Sequence, residues 1–316
     1  MSSKKESVKV AVVQAAPILF DKGKTVEKAV ELIDEAAENG SELVLFPEAF
    51  IPAYPRGSTF DADVGNRTKK GRELWQRYYE NSVEIPGRIT ETLGKKAEEN
   101  EIFLAVGVIE KEASRRGGTL YCTLVYFGPD GNILGKHRKI KPTGTERVIW
   151  GEGDGSTLTV VDTDFGKVGG LICWENYMPL ARMTMYDKGV GIYLAPTADS
   201  RDTWQSTMRH IALEGRCFVL GCNQYVEVDM YPDYFIEEVD DLDELYCRGG
   251  SVIVSPMGEV IEGPLYDEEG ILYAELDLGE ICRSRFDFDV TGHYSRPDIF
   301  KLLVNEEKQE NILKRK

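Results

Sequence analysis

Residues 8–46 read VKVAVVQAAPILFDKGKTVEKAVELIDEAAENGSELVLF, and this stretch indicates the fold class. The apolar run at 8–16 predicts a buried strand, and the run LVLF at 43–46 predicts a second. Between them, residues 25–39 place apolar side chains at helical spacing, and the pattern stops at an Asn-Gly pair. A strand, a helix and a second strand begin an alternation that is typical of α/β proteins.

The alternation continues along most of the chain. Turn signals at 128–131 (GPDG) and 164–166 (DFG) predict two hairpins. Further strands are predicted at 102–109, 119–127, 132–139, 158–162, 167–173, 191–194, 217–225, 251–255 and 271–276, and further helices at 85–100, 179–188 and 201–214. Roughly a dozen strands are many for one open sheet. We therefore predict an α/β fold in which two mixed sheets pack together with helices outside.

The chain contains no Pro/Gly/Ser-rich linker, so one domain is expected over residues 1–300. Residues 301–316 are polar and charged, and they are expected to form a tail that is exposed or used in assembly contacts.

The charge of the chain limits its classes of partner. The 316 residues include 38 Lys+Arg, 54 Asp+Glu and 3 His, giving a formal net charge of -16. This acidity disfavours nucleic acid, whose binding requires a basic face. No window reaches the ~18 consecutive apolar residues of a membrane span, and the first ten residues lack the apolar core of a secretory signal. A cytoplasmic protein that binds neither nucleic acid nor membrane is expected.

The six cysteines do not indicate a metal site or a disulfide framework. They are Cys122, Cys173, Cys217, Cys222, Cys247 and Cys282. No Cys-x-x-Cys motif is present, and no histidine stands at zinc-finger spacing from a cysteine pair. Several buried, inert thiols and one reactive thiol are the expectation.

Three chemically reactive side chains stand at or just past the ends of predicted strands. They are Glu48, Lys139 and Cys173. Because ligand crevices form outside the carboxyl ends of strands in sheets covered by helices, the three residues are expected to lie together. A thiolate is a nucleophile, an ammonium group favours the thiolate, and a carboxylate can accept the thiol proton and later activate water.

Other interpretations of these residues stay open from the pattern alone. Cys173 could be a small buried hydrophobe, Glu48 a surface or helix N-terminal carboxylate, and Lys139 part of a solvated face. A cysteine–histidine pair is a further possibility. Three histidines are available for it: His137, His210 and His293.

Around these residues the sequence resembles the nitrilase branch of the carbon-nitrogen hydrolase superfamily, and within it plant-type nitrilases and their microbial relatives. The resemblance extends from about residue 8 to residue 298. It rests on an ordered set of blocks: VLFPEAF at 44–50, AYPRG at 53–57, TLYCT at 119–123, GKHRKIKPT at 135–143, ERVIWGEGDGS at 146–156, GGLICWENYMPL at 169–180, APTADSRDTW at 195–204, MRHIALEGRCFVLGCNQ at 208–224 and FDFDVTGHYSRPD at 286–298.

The resemblance implies an α-β-β-α sandwich and a role for each site residue. It implies that Glu48 is the general base, Lys139 the charge-stabilising group and Cys173 the nucleophile, with Glu146 positioning substrate or water. Candidate substrate-binding residues are Tyr54, Trp174, Pro196 and Thr197. The stretch 54–80 is expected to shape the pocket, with Phe60 and Trp75 as further candidate wall residues.

The implied reaction is hydrolysis of an organic nitrile to the carboxylic acid and ammonia through a cysteine thioimidate and thioester. No metal or organic cofactor is implied. An amidase or carbamoylase with the same residues is the nearest alternative, and a non-catalytic scaffold of the same fold is another. The implied partners are a small nitrile and further copies of the chain, in a homodimer, larger homo-oligomer or spiral, with contacts at 179–188 and 286–316.

The segment 227–246 departs from the family pattern. It contains nine acidic residues and no basic one, together with four aromatic side chains. A solvated loop and a lid or interface segment are both open. We hypothesise that the segment lies near the pocket mouth or a subunit contact and disfavours anionic nitriles by like-charge repulsion.

Overall fold

The computed structural model describes residues 5–112, 118–237, 239 and 242–309, with the backbone alone at 244 and 245. Its strands are β1 (Ser7–Gln14), β2 (Leu43–Leu45), β3 (Phe103–Lys111), β4 (Leu120–Phe127), β5 (Ile133–Arg138), β6 (Val160–Thr163), β7 (Gly166–Gly170), β8 (Ile192–Pro196), β9 (Phe218–Cys222), β10 (Tyr225–Val226), β11 (Cys247–Val254), β12 (Val260–Tyr266) and β13 (Gly270–Asp277). The α-helices are α1 (Lys22–Glu38), α2 (Lys69–Asn81), α3 (Arg88–Glu99), α4 (Glu146–Ile149), α5 (Pro179–Asp187), α6 (Thr203–Gly215), α7 (Asp233–Ile236) and α8 (Gly279–Arg285). Short 3-10 helices lie at Gly155–Thr157, Cys173–Tyr177, Val228–Met230 and Leu242–Leu245.

The strands form two sheets of mixed direction, as the sequence predicts. The first has the order β13-β1-β2-β3-β4-β5, in which β1, β2 and β3 are parallel and the other pairs antiparallel. The second has the order β10-β11-β9-β8-β7-β6, in which β7, β8 and β9 are parallel, and β12 pairs with β11. Each sheet therefore has a parallel centre with antiparallel strands at both sides.

The two sheets face each other across the largest apolar core. Val10 and Val12 of β1 and Leu45 of β2 belong to the same buried cluster as Leu194 of β8 and Leu220 of β9. Each fully buried side chain of this size contributes roughly 1.5–3 kcal/mol. This inner layer therefore holds the sheets together and fixes the loops at their ends relative to one another.

Helices cover the outer faces. The first, α1, is capped at its N-terminus by Asp21, whose carboxylate accepts the backbone N–H of Lys24 at 3.0 Å. Its C-terminal cap is Asn39, followed by Gly40 with φ +80°. It packs with α3 on the first sheet, while α5 and α6 pack on the second. The α-β-β-α fold class is confirmed. Among the described helices, none combines the length and apolar character that a membrane crossing requires.

The strand ends place the predicted site residues. Glu48 lies three residues beyond β2, Lys139 directly follows β5, and Cys173 lies three residues beyond β7. The sequence predicts that β7 continues to Cys173, whereas it ends at Gly170. The chain leaves the sheet after Gly170, and Cys173 itself has a left-handed backbone with φ +50°.

Several elements are absent from the sequence prediction, among them α2, β12 and α8. The helix α2 begins at Thr68, whose hydroxyl accepts the backbone N–H of Gly71 at 2.9 Å. It buries Leu74 and Tyr78 on one face. Its sequence KKGRELWQRYYEN is dominated by charged and polar residues, so α2 has few apolar side chains, although these lie on one face.

Aromatic side chains anchor the acidic segment 227–246. Tyr231 and Phe235 are buried and stack with ring centres 5.3 Å apart. The guanidinium of Arg77 in α2 lies 4.7 Å from the ring centre of Tyr234. The segment therefore packs against α2 and is not a wholly solvated loop. Three of its acidic residues lie outside the described residues: Glu238, Asp240 and Asp241.

The described part of the predicted tail, residues 301–309, runs along the surface without helix or strand. Glu306 pairs with Lys188, directly beyond α5, at 2.7 Å. The backbone N–H of Gln309 donates to Asp154 at 2.7 Å. Residues 310–316 of the predicted tail lie outside the described residues.

Candidate active site

Lys139 lies buried between two carboxylates. Its ammonium donates to Oε1 of Glu48 at 2.6 Å and to Oε2 of Glu146 at 2.7 Å, and it lies 5.7 Å from the ring centre of Trp150. Burial alone would lower the pKa of a lysine, but the neighbouring carboxylates outweigh it and raise the pKa of Lys139 above its ordinary value. Lys139 is therefore a stable cation at the centre of the cluster.

Glu48 has one engaged and one unengaged carboxylate oxygen. Oε1 accepts from Lys139 and from the thiol of Cys122, whose Sγ lies 3.5 Å away. Oε2 is buried and has no hydrogen-bond partner within the described part of the chain. Burial raises the pKa of Glu48, and the ammonium of Lys139 opposes this only in part. Such a carboxylate is suited to accept a proton.

Cys173 lies on a strained turn between β7 and the following 3-10 helix. A φ of +50° is uncommon for a non-glycine residue. The side-chain amide of Asn176 holds the turn by donating to the carbonyl oxygens of Leu171 and Cys173 at 2.9 and 2.8 Å. The hydroxyl of Thr197 donates to the Sγ of Cys173 at 3.2 Å. The thiol therefore occupies a defined position.

The thiol of Cys173 is protonated at rest. Burial raises its pKa well above the ordinary value, the charge of Glu48 raises it further, and Lys139 lowers it by less. From the sequence, the lysine is expected to favour the thiolate. Lys139 does lower the pKa of Cys173, but burial raises that pKa by more. Attack by sulfur therefore requires a base, and Glu48, whose charge acts directly on the thiol, is the candidate.

Glu146 is the first residue of α4, and donors engage both of its oxygens. Oε2 accepts from Lys139 and from the backbone N–H of Thr143 at 2.6 Å, while Oε1 accepts from the hydroxyl of Tyr54 at 2.7 Å. Both oxygens of this carboxylate accept hydrogen bonds, whereas Oε2 of Glu48 has no partner within the described part of the chain. The geometry suits Glu146 to positioning Lys139 and Tyr54 rather than to accepting a proton.

A third buried carboxylate of the site, Glu175, links the segments that carry Lys139 and Cys173. Its Oε1 accepts the backbone N–H of Ile140 at 2.6 Å, and its Oε2 accepts the backbone N–H of Ile172 at 2.7 Å. These two amides directly follow Lys139 and directly precede Cys173 in the chain. Glu175 therefore holds the proposed nucleophile and the lysine in one framework.

A cavity of about 310 Å³ adjoins the cluster at Glu146. This volume lies at the lower end of small-molecule sites, which span about 300–1,000 Å³. The lining residues that matter here are Tyr54, Arg56, Glu146, Ile149 and Trp150. A smaller cavity of about 140 Å³ beside it includes Phe60 and Trp75 in its lining.

The predicted substrate-binding residues occupy different surroundings. Tyr54 lines the cavity, Thr197 contacts the thiol, and Pro196 is the buried last residue of β8 directly before Thr197. Trp174 is not among the residues lining the cavity. It is 40% exposed, and its indole N–H donates to Asp199 at 2.8 Å. A substrate contact by the ring of Trp174 stays a prediction without support from this geometry.

The cysteine–histidine pair that the sequence left open is not formed. His137 is buried and contacts Glu175, with Nε2 2.9 Å from Oε2. His210 and His293 lie at exposed positions. None of the three histidines is bonded to Cys173 in the structure.

Sequence reasoning missed four residues around the site: Arg56, Cys122, Trp150 and Glu175. Cys122 is among the thiols expected to be inert, and its thiol is bonded to Glu48. Arg56, Trp150 and Glu175 stand inside the quoted blocks YPRG, ERVIW and CWEN. A charged or polar side chain within such a block was the available signal for them.

Comparisons with known proteins agree with this geometry. Residues 9–286 match the family model described as carbon-nitrogen hydrolase. The bifunctional nitrilase/nitrile hydratase NIT4B of Nicotiana tabacum is 51% identical over 96% of this chain and 88% of its own length. The aliphatic nitrilase of Sinorhizobium fredii is 51% identical over 97% of this chain and 98% of its own. The crystal structure of Saccharomyces cerevisiae Nit3, at 24% identity, shares the fold with a TM-score of 0.74 over 92% of this chain and 97% of that one. The chain therefore belongs to the carbon-nitrogen hydrolase family, in its nitrilase branch, as its motifs predict.

Proposed function

We propose that this protein is a nitrilase, which hydrolyses an organic nitrile to the carboxylic acid and ammonia. The observation that carries the proposal is the buried thiol of Cys173 beside a lysine ammonium held by Glu48 and Glu146. The tobacco and Sinorhizobium relatives, both named as nitrilases, support nitriles as the substrate class.

In the first half of the reaction, the thiol adds across the carbon–nitrogen triple bond. Sulfur bonds to the nitrile carbon while Oε2 of Glu48 takes the thiol proton, and negative charge develops on nitrogen. The ammonium of Lys139, together with the backbone N–H of Trp174, stabilises that charge. Return of the proton to nitrogen gives a neutral thioimidate on Cys173.

In the second half, two water molecules release the product. Glu48 removes a proton from the first water as it adds to the thioimidate carbon, and the nitrogen leaves as ammonia, which converts the thioimidate to a thioester. The second water, activated in the same way, adds to the thioester carbon. The carbon–sulfur bond then breaks, the carboxylic acid leaves, and the thiol recovers its proton.

Release of the amide is a second product route, which the name of the tobacco relative, bifunctional nitrilase/nitrile hydratase, suggests. It follows if the tetrahedral adduct of the first water expels sulfur instead of ammonia. Quantifying acid, amide and ammonia separately distinguishes the two outcomes.

The test is ammonia release from aliphatic, arylacetic, aromatic and cyanoamino-acid nitriles beside the matching amides. Cys173→Ala should show essentially no turnover, because the covalent route is closed. Cys217→Ala is the matched control. This thiol is also buried, but it lies in the apolar cluster between the second sheet and the helices α5 and α6. Turnover by Cys173→Ala comparable to the wild type would contradict the assignment. Activity on amides alone would favour an amidase or carbamoylase, and no ammonia from any compound would favour a scaffold.

We also propose that the chain forms a homo-oligomer. Large apolar side chains are exposed on α5 and in the C-terminal segment, with Leu180 at 66%, Phe300 at 76% and Leu303 at 95%. The Lys188–Glu306 ion pair brings these two regions together. Leu180→Glu and Leu303→Glu should each lower the molar mass found by sedimentation, whereas Val64→Glu, at another exposed apolar position, should not.

A further inference from the structure

Arg56 is a half-buried guanidinium in the lining of the 310 Å³ cavity, and the mechanism does not use it. Its Nη2 donates a hydrogen bond to the carbonyl oxygen of Ala198, and the guanidinium lies 5.4 Å from the ring centre of Tyr54. No carboxylate of the described residues is paired with this guanidinium.

An arginine in this position is unusual in such an acidic chain. Desolvating a guanidinium is costly, and protein structures generally offset the cost with a carboxylate partner. The chain has 54 Asp+Glu for 38 Lys+Arg, so acidic side chains are plentiful. Because Arg56 lines a cavity and has no carboxylate partner among the described residues, its positive charge is available to a molecule bound there.

The guanidinium lies close to the reacting thiol. The carbonyl that it bonds belongs to Ala198, directly after Thr197, whose hydroxyl is 3.2 Å from the Sγ of Cys173. The ring of Tyr54 lies between Arg56 and Glu146, which its hydroxyl bonds at 2.7 Å. Arg56 lines the cavity, and its bond to Ala198 connects it to the strand end whose Thr197 holds the thiol of Cys173.

We propose that Arg56 binds a carboxylate of the substrate, so that the preferred nitriles carry a carboxylate a few bonds from the cyano carbon. This inference rests on the proposed nitrilase function. A guanidinium has five N–H donors in a planar fork that matches a carboxylate, and a single one is engaged here by a described residue. Ile149 and Trp150 supply an apolar wall for the short carbon chain.

Glu146 lines the same cavity without neutralising Arg56. Its two oxygens are bonded by Lys139, Tyr54 and the backbone N–H of Thr143, and it makes no ion pair with Arg56. Glu146 shares the ammonium of Lys139 with Glu48, whereas Arg56 has no carboxylate partner within the described part of the chain.

This inference runs opposite to the hypothesis that the acidic segment 227–246 disfavours anionic nitriles. The two effects differ in range. A direct bond to Arg56 acts at contact distance and depends weakly on salt, whereas repulsion by exposed acids is screened over about 8–10 Å near physiological ionic strength. Measurements at low and high salt therefore separate them.

The experiment uses matched pairs of small nitriles. Cyanoacetate and β-cyanopropionate are compared with isovaleronitrile and isocapronitrile, in which an isopropyl group replaces the carboxylate at equal chain length. Arg56→Met should lower kcat/KM for the two anionic nitriles by about ten- to a hundredfold, as loss of a charge-assisted hydrogen bond implies, and change the neutral pair by less than about twofold. Arg56→Lys should retain part of the preference because it keeps the charge but loses the fork.

Arg209→Met is the control, because Arg209 is exposed on α6, lines neither cavity and donates to the backbone carbonyl of Gly258. In each of the two matched pairs, it should leave the ratio of kcat/KM for the anionic nitrile to kcat/KM for the neutral nitrile unchanged. Equal losses on anionic and neutral nitriles in Arg56→Met would assign Arg56 a purely structural role and overturn the inference, as would no change on either. A wild-type protein that hydrolyses the neutral nitriles but not the anionic ones would also overturn it. Ammonia from no nitrile at all would instead reject the proposed function.

Discussion

The Nε2 of His137 lies 2.9 Å from the Oε2 of Glu175, and both side chains are fully buried. The other ring nitrogen, Nδ1, lies 2.8 Å from the carbonyl oxygen of Thr157, which can only accept, so the bonding pattern assigns a proton to Nδ1. Burial disfavours the imidazolium, but Glu175 outweighs burial and raises the pKa of His137. The two residues thus form a buried, charge-assisted pair next to the segments of Lys139 and Cys173.

Glu175→Ala should destabilise the protein and slow turnover together. It leaves the backbone N–H groups of Ile140 and Ile172 without their acceptor and His137 without its partner. Because each unsatisfied buried group costs ~1–3 kcal/mol, we expect the free energy of unfolding to fall by about 3 kcal/mol or more. We expect kcat to fall by ~100-fold, since small displacements of reacting groups carry such penalties. Urea unfolding and kinetics at saturating nitrile measure the two effects.

The control for Glu175 is Glu110→Gln. Glu110 is also buried and paired, with Lys136 and Arg138, but it has no bond to the segment of Cys173. It should lower stability with little change in kcat. Glu175→Gln, which keeps the size of the side chain, should still lower kcat more than it changes KM. An equal kcat loss in the Glu175 and Glu110 variants would assign Glu175 to general stability alone.

His137→Asn should remove a pH-dependent part of the stability. The pKa of His137 is raised on folding above the ordinary value of 6.5. The stabilisation from its proton is therefore fully present below about pH 6.5 and is lost as the pH rises through the higher, folded-state pKa. The difference in unfolding free energy between wild type and His137→Asn should shrink as the pH rises from about 6 to about 9. A difference that is constant or grows over this range would contradict the prediction.

Local signals predict the fold and mark three candidate residues, whereas the roles of those residues are implied by the resemblance to the nitrilase branch. Apolar runs, helical spacing and Gly-containing turns mark the strands and helices, and a polar reactive side chain beyond an apolar run marks Glu48, Lys139 and Cys173. Such signals need no knowledge of which strands are neighbours. The mixed sheets and the positions of these residues past their strands follow from them.

The remaining site residues depend on contacts between distant parts of the chain. Glu175 reaches Ile140 across 35 residues, and Arg56 reaches Ala198 across 142. Their neighbours in sequence do not indicate these partners. The left-handed backbone of Cys173 is likewise imposed by the bonds of Asn176, since the residue type alone disfavours it. Burial of a charged group is a tertiary property, and it decides the pKa changes at this site.

As the pH is lowered, kcat/KM should begin to fall at a higher pH than it would if Glu48 had the pKa of an ordinary glutamate. Glu48 must be ionised to take the thiol proton, and burial raises its pKa above the ordinary 4.5. As the pH falls, Glu48 becomes protonated and the base is lost, so kcat/KM should decline with a midpoint above 4.5. Measuring kcat/KM for a neutral nitrile across this range tests the sign. A midpoint at or below the ordinary value would contradict the assignment, as would substantial turnover by Glu48→Gln.

Tyr54→Phe should slow the reaction through Glu146. The phenol donates to Oε1 of Glu146 at 2.7 Å, and burial raises the pKa of Tyr54, so it stays protonated and able to donate. A hydrogen bond to a charged group is worth about 1.5–3 kcal/mol, so roughly a tenfold or greater fall in kcat/KM is expected. The ring itself remains, which preserves its packing on Trp150.

Tyr78→Phe separates this effect from the general cost of losing a buried hydroxyl. Tyr78 is fully buried, and its hydroxyl donates to the carbonyl oxygen of Ala53 at 3.0 Å, next to Tyr54 in the chain. This variant should lose stability while keeping kcat/KM near the wild-type value, because its hydroxyl has no bond to Glu146. If Tyr54→Phe reduced kcat/KM no more than Tyr78→Phe, the bond from Tyr54 to Glu146 would have no part in positioning the site.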